Sequence, residues 1–265
     1  MLLVVTGSSG LPDVVGLQTT EPTALLNAVG DPGDQSVIAL CPTHDLQAVR
    51  SQAHVLISAH PHARTAVLGF EHHPLTLTLI AAAVRAVHAP DEDPGRITAA
   101  IRRAAARSRS LVWYPRVVRL RAPQPTVGQI LHGLVRSSGY FLELGPQAAL
   151  VAGRRGTPLG PGDEVYLAED PPELLTRQMS QTLRTVPVEL ASGQPWWAPG
   201  CVPLGVLVTT AAGPDGATCR ICGAEQALGG CVFCGTGPDR LETVPARQPA
   251  LATAAEQLVT EGNEE

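Results

Sequence analysis

Thr65-Ala66-Val67-Leu68-Gly69-Phe70, followed after Glu71-His72-His73 by Pro74-Leu75-Thr76-Leu77-Thr78-Leu79-Ile80-Ala81-Ala82-Ala83-Val84-Arg85-Ala86-Val87, is the stretch on which the fold class turns. Its first part is a short, continuous apolar run, the pattern of a strand buried on both faces of a parallel sheet. Its second part is too long for a strand, and Pro74 suits the first turn of a helix, where the missing N–H costs nothing. Working outward, the same alternation recurs. Strands are predicted at Leu2–Thr6, Ser36–Leu40, His54–Ser58 and Leu111–Tyr114, and helices at Glu21–Val29, Thr43–Ser51 and Pro94–Arg107. Thr43 or Asp45 is placed to cap the second of these helices. Alternating strands and helices predict an α/β domain over residues 1–115, with a mostly parallel, Rossmann-like or flavodoxin-like sheet. No Gly-x-Gly-x-x-Gly follows the first strand, so a dinucleotide site is not indicated. The loop Thr6-Gly7-Ser8-Ser9-Gly10 has backbone N–H groups to cradle an anion, but it lacks the Lys-Ser/Thr of a P-loop.

Composition sets the outer bounds. A chain of 265 residues predicts about two domains with room for a small third module. Hydrophobic residues make up 44% and charged residues 16%, which supplies a core and argues against wholesale disorder. Aromatics are only 3%, so aliphatic side chains and Ala must do the packing. A net charge of −5 is too small for a chain that binds polyanions over its whole surface. All 19 basic residues are Arg, and Lys is absent. The opening residues lack the basic start and long apolar region of a secretory signal. The apolar stretch near Leu75–Val87 is interrupted by Arg85 and falls short of the ~20 residues that span a bilayer. A cytoplasmic protein without membrane contact is expected.

Ala122–Thr126, with Pro123 and Pro125, reads as a boundary. Beyond it, a helical stretch at Val127–Val135 and strands at Tyr140–Leu144, Ala148–Ala152 and Glu164–Leu167 predict a small α+β module over 116–170. Thr126-Val127-Gly128-Gln129-Ile130-Leu131 and Leu159-Gly160-Pro161-Gly162-Asp163-Glu164-Val165-Tyr166-Leu167 resemble the helix start and final strand of β-grasp folds, most nearly the ubiquitin-like and sulfur-carrier group. The resemblance implies a docking surface rather than a carrier, because Ala168-Glu169-Asp170-Pro171-Pro172 stands where carriers end in Gly-Gly. A helix and connecting segment over 171–216 contains the loop Pro195-Trp196-Trp197-Ala198-Pro199-Gly200 and a strand at Val202–Thr209.

Cys219-Arg220-Ile221-Cys222-Gly223 and Cys231-Val232-Phe233-Cys234-Gly235 form two near-identical knuckles. Without an export signal, paired Cys-x-x-Cys spacing points to metal ligation rather than to disulfides. Four soft thiolates suit tetrahedral Zn2+, and the same ligands also suit iron. The two pairs resemble short zinc ribbons, with a linker shorter than the usual ~15–20 residues. The resemblance implies a structural Zn2+ held by Cys219, Cys222, Cys231 and Cys234 in a module over 217–240, ahead of a tail over 241–265.

These features predict a zinc-binding interaction or assembly protein with a protein partner, no catalytic residue assigned. Two other readings stand beside it. One is an enzyme at the strand ends of the first domain, using Cys41 or the cluster His60, His62, Glu71, His72 and His73, since open α/β sheets bind ligands there. The other, less favoured, is a nucleic-acid-associated factor. It would use the knuckles and the arginine-dense stretch Arg96–Arg121, which holds Arg102, Arg103, Arg107, Arg109, Arg116 and Arg119 and no acid.

Overall fold

Alternation along β1 (Leu2–Thr6) sends Leu3 and Val5 into one apolar cluster and Val4 into another, as the two-residue period of a strand requires. In β4 (Val37–Pro42) and β5 (Thr65–Phe70), Ile38, Leu40, Ala66 and Leu68 join the first cluster, while Val37, Ala39 and Cys41 join the second. With β3 (Val14–Leu17) these strands make a wholly parallel four-stranded sheet, ordered β3-β1-β4-β5. A parallel sheet needs both faces covered. Leu25 of α1 (Ala24–Val29) and Val49, Ala53 and Leu56 of α2 (Leu46–Ala59) close one face. Leu77, Ile80 and Val84 of α3 (Pro74–Val87) and Ile97 and Ile101 of α4 (Pro94–Arg107) close the other. Both latter helices start as their prolines predict. Asp93 accepts the Gly95 and Arg96 N–H groups at 2.8 and 3.2 Å, and the His73 ring accepts that of Thr76 at 3.2 Å.

The computed structural model describes residues 1–11, 14–17, 21–89, 91–117, 120, 124–135, 139–145, 149–153, 159–160, 163–191, 196–207 and 233. Two sequence expectations change within it. His54–Ser58 is not a strand but the second half of α2, whose buried positions Val49, Gln52, Ala53 and Leu56 are spaced by three and four residues along one helical face. The run at Leu111–Tyr114 is a strand, but β6 (Arg109–Tyr114) belongs to a second sheet, between β12 (Val202–Leu207) and β7 (Tyr140–Leu144) and antiparallel to both. A continuous apolar run fits the middle of either sheet, so its own residues do not choose between them.

The second sheet runs β10-β9-β12-β6-β7-β8, where β8 is Ala149–Ala152, β9 Glu164–Leu167 and β10 Leu183–Thr185. Leu111 and Trp113 face a cluster completed by Leu175 of α6 (Glu173–Gln178), while Val112 and Tyr114 pack with Trp196 and Ala198. The stretch 116–170 also contains α5 (Val127–Val135), but β12 and β6 separate β9 from β7. That separation corrects the β-grasp resemblance: the segment has no sheet of its own to close. Arg109 ties the sheet laterally, donating to Glu143 at 2.7 and 2.8 Å and approaching Asp163 at 3.8 Å. Its guanidinium holds the Glu143 carboxyl below the usual range. Because the pair is partly exposed, Arg109→Ala is expected to cost only about 1 kcal/mol, with a double-mutant cycle against Glu143→Ala as the measurement.

Helix α3 serves both sheets. A Cβ on Gly205 of β12 would lie 2.5 Å from Leu79 Cδ1, the end of a flexible side chain that would have to turn aside for any larger residue. Beside it, β2 (Ser8–Ser9) pairs antiparallel with β11 (Glu189–Leu190), joining the loop after β1 to the chain leading into β12.

Candidate functional site

Where α3 meets the second sheet, polar groups are buried and paired. His73 is fully buried, with Nε2 3.2 Å from both the Leu111 and Leu204 carbonyls. Since Nδ1 accepts from Thr76, Nε2 carries the proton and donates to both strands. Burial pulls this imidazole down to about 4, so it is neutral at physiological pH. His72 contacts Ser110 Oγ at 3.0 Å and the Ala105 carbonyl at 2.9 Å, and burial lowers it as well. These histidines fasten α3 and α4 to β6 and β12.

The His73 ring lies 5.7 Å from that of Trp196, whose backbone carbonyl accepts from Tyr114 Oη at 2.6 Å. Trp196 is also a wall of a cleft of about 790 Å3 lined mainly by the second domain, with Gly10 reaching it from the first, within the usual size for small-molecule sites. The loop after β2 contributes Gly10; the end of β9 contributes Ala168, Glu169 and Asp170; β11 and its approach contribute Pro187, Val188, Glu189 and Leu190. Trp196, Trp197, Cys201, Val202 and Pro203 line it as well. Two backbone bonds fix this frame, Val186 N–H to the Leu167 carbonyl and Ala191 N–H to the Gly7 carbonyl, both 2.8 Å. The walls are chiefly apolar, and the Cys201 thiol is pushed up by burial, hence neutral. Trp196 is buried, yet its indole Nε1–H has no acceptor among the described residues. Such a donor is costly unless something polar meets it.

Sequence reasoning passed over this cleft. Two of the chain's three tryptophans stand adjacent in a loop rich in Pro and Gly, a placement that core packing does not require, and that was the available signal. The residues it favoured lie elsewhere. His60 ends α2 and faces Asp31 at 3.4 Å, and His62 is exposed. Glu71, His72 and His73 follow the opposite end of β5, about 20 Å away for six residues of strand. The five do not converge, which removes the proposed acid–base cluster. Cys41 is fully buried with Sγ 3.6 Å from the Leu68 carbonyl, and burial pushes its thiol up to about 12. It packs in the core and supplies no nucleophile. Two described members of the arginine stretch are charge-paired. Arg96 pairs with Glu92, and Arg109 with Glu143 and Asp163, so acids from other segments interleave. Arg119 and Arg121 lie outside the described residues.

A parallel α/β domain and a second sheet domain, joined by a shared helix, define the class of fold. Among solved structures it is that of DegV family proteins. The chain is similar to the DegV family protein from Eubacterium eligens loaded with heptadecanoic acid, with TM-score 0.53, 12% identity, and coverage of 79% of this chain and 100% of that one. A DegV family protein from Corynebacterium glutamicum gives TM-score 0.54 at 11% identity, covering 80% and 99%. The Streptococcus pneumoniae fatty acid kinase (Fak) B3 protein loaded with linoleic acid gives 0.53 at 12%, covering 79% and 100%. At such identities the likeness is one of fold. No family model matches the chain, and no curated protein does.

The likeness corrects the expectation built on the cysteines. The chain's fold is that of the DegV proteins rather than of a zinc ribbon, which overturns the zinc-binding assembly reading. Among the described residues no group of three or more His, Cys, Asp or Glu is placed to hold a metal ion. Cys219, Cys222, Cys231 and Cys234 lie outside those residues. Phe233, between the last two, packs against the apolar cluster of Leu3 and Ile38. No helix among the described residues is long and apolar enough to cross a membrane.

Proposed function

We propose that the protein binds a small amphipathic molecule with a long apolar chain in the cleft walled by Trp196 and Trp197. The observation that carries this reading is the cleft itself: about 790 Å3, walled by Val188, Leu190, Trp196, Trp197 and Val202. The fold likeness supports it, because two of the neighbours were obtained loaded with heptadecanoic and linoleic acid. A partner protein then receives or modifies the loaded molecule, a role suggested by the neighbour named as a fatty acid kinase protein. The test is titration of delipidated protein with long-chain fatty acids, alcohols and amines, followed by tryptophan fluorescence. A saturable change at one ligand per chain is expected, with Trp197→Ala weakening it at least about fivefold, since aromatic walls supply much of such affinity. Flat titrations across the whole panel would sink the proposal.

A further inference from the structure

Trp196 and Trp197 wall the cleft, yet they stand in a loop rather than in a strand or helix. Side chains on a loop keep a binding geometry only when packing and hydrogen bonds behind them hold the loop. Within residues 196–201 two bonds close the chain on itself. The Cys201 N–H donates to the Ala198 carbonyl at 3.0 Å, and the Ala198 N–H donates to Cys201 Sγ at 3.5 Å. Gly200 takes φ +75°, and a Cβ there would lie 3.3 Å from Pro115 Cγ. The tie from this loop to the sheet is Tyr114, the last residue of β6. Its ring is fully buried, and Oη–H donates to the Trp196 carbonyl at 2.6 Å. Burial, with the Cys201 thiol nearby, pushes the Tyr114 hydroxyl up, so it stays protonated and remains a donor. Tyr114 does not itself line the cleft.

We infer that Tyr114 is a positioning residue for the cleft: its hydrogen bond to the Trp196 carbonyl holds the tryptophan wall in the conformation that receives the ligand. This role rests on the binding reading above. With the bond in place the wall is ordered before the ligand arrives. Without it, binding must order the loop as well, and affinity falls by the fraction of time the loop spends elsewhere.

The test compares the full, delipidated chain with Tyr114→Phe, which keeps the buried ring and removes only the hydroxyl. Dodecanoate, dodecanol and dodecylamine, each below its micelle concentration, are titrated by calorimetry, and amide hydrogen exchange is followed across residues 196–202. Tyr114→Phe is expected to weaken every probe that binds the parent by about fivefold, the worth of one buried hydrogen bond. Exchange across residues 196–202 is expected to quicken by about the same factor while Leu2–Thr6 is unchanged, and a saturating probe restores the parent's rate. Arg109→Ala is the control: it loosens the same strand without touching the loop or the cleft, and it keeps the parent's affinity and loop exchange. Gly200→Ala strains the loop from the side that faces Pro115 and reproduces the losses of Tyr114→Phe. Parent-like affinity in Tyr114→Phe, or in Gly200→Ala where Tyr114→Phe does not fold, overturns the inference and leaves the binding reading standing. So does an equal loss in Arg109→Ala, which would report general softening. If no probe binds the parent, the binding reading fails, and this role with it.

Discussion

His73→Phe is expected to cost about 3–5 kcal/mol of folding stability, because it leaves the Leu111 and Leu204 carbonyls and the Thr76 N–H buried without their partner. The ring volume is kept, so the loss comes from stranded polar groups rather than from a cavity. The same residue makes stability depend on pH. Burial depresses the folded His73 to about 4 and lowers His72 in the same direction, while the unfolded chain titrates near the ordinary ~6.5. Between these values the unfolded chain takes up protons that the folded chain refuses. The stabilisation is therefore complete above about 6.5 and drains away as the pH falls toward about 4, by about 3 kcal/mol for His73 alone. Urea unfolding at neutral pH and at pH near ~4.5 measures both effects, the midpoint falling steeply on acidification in the parent and much less in the variant. Parallel pH curves would show that His73 is not the group responsible.

Gly10→Val is expected to strike the cleft as hard. Gly10 has φ +113°, a conformation that L side chains rarely adopt, and a Cβ there would lie 2.4 Å from the Pro187 carbonyl oxygen. The carbonyl belongs to the backbone leading into β11 and cannot swing away as a flexible side chain would. Strain and displacement together are worth about 2–4 kcal/mol, concentrated where β2 meets β11. Ligand affinity is expected to fall at least about tenfold, because Gly10, Pro187, Val188 and Glu189 share the wall. Gly10→Ala should show the same loss in smaller measure. If Gly10→Ala left the unfolding midpoint and the ligand titration unchanged, the loop would be softer than this geometry implies.

Much of the first domain was legible because its signals are local. Pro74 and Pro94 mark helix starts, and the runs at Leu2–Thr6 and Thr65–Phe70 read as buried strands without tertiary information. His-Val-Leu-Ile-Ser at 54–58 misled because five residues sample barely more than one helical turn, too few to separate the two periods. β6 was found as a strand but assigned to the wrong neighbours, since its partner β12 lies far along the chain and no local signal announces it. The site was less legible still. Histidines attract functional readings, yet His72 and His73 are spent on buried structural bonds. The cleft is assembled from Gly, Pro, Val and Trp, whose chemistry looks unremarkable until they face one another. The Cys-x-x-Cys pairs were the sharpest motif in the sequence, but a motif of some twenty residues does not determine the fold of the rest.

The pairing of β6 with β12 also fixes an order of events while the chain is being made. The parallel sheet and its four helices are complete once Arg107 has left the ribosome, so that half can condense early. β6, emerging next, must wait for Leu207 before its second edge is covered. For that interval Leu111 and Trp113 sit in an unfinished sheet with an open ladder edge, the period when a nascent chain is most in need of a chaperone.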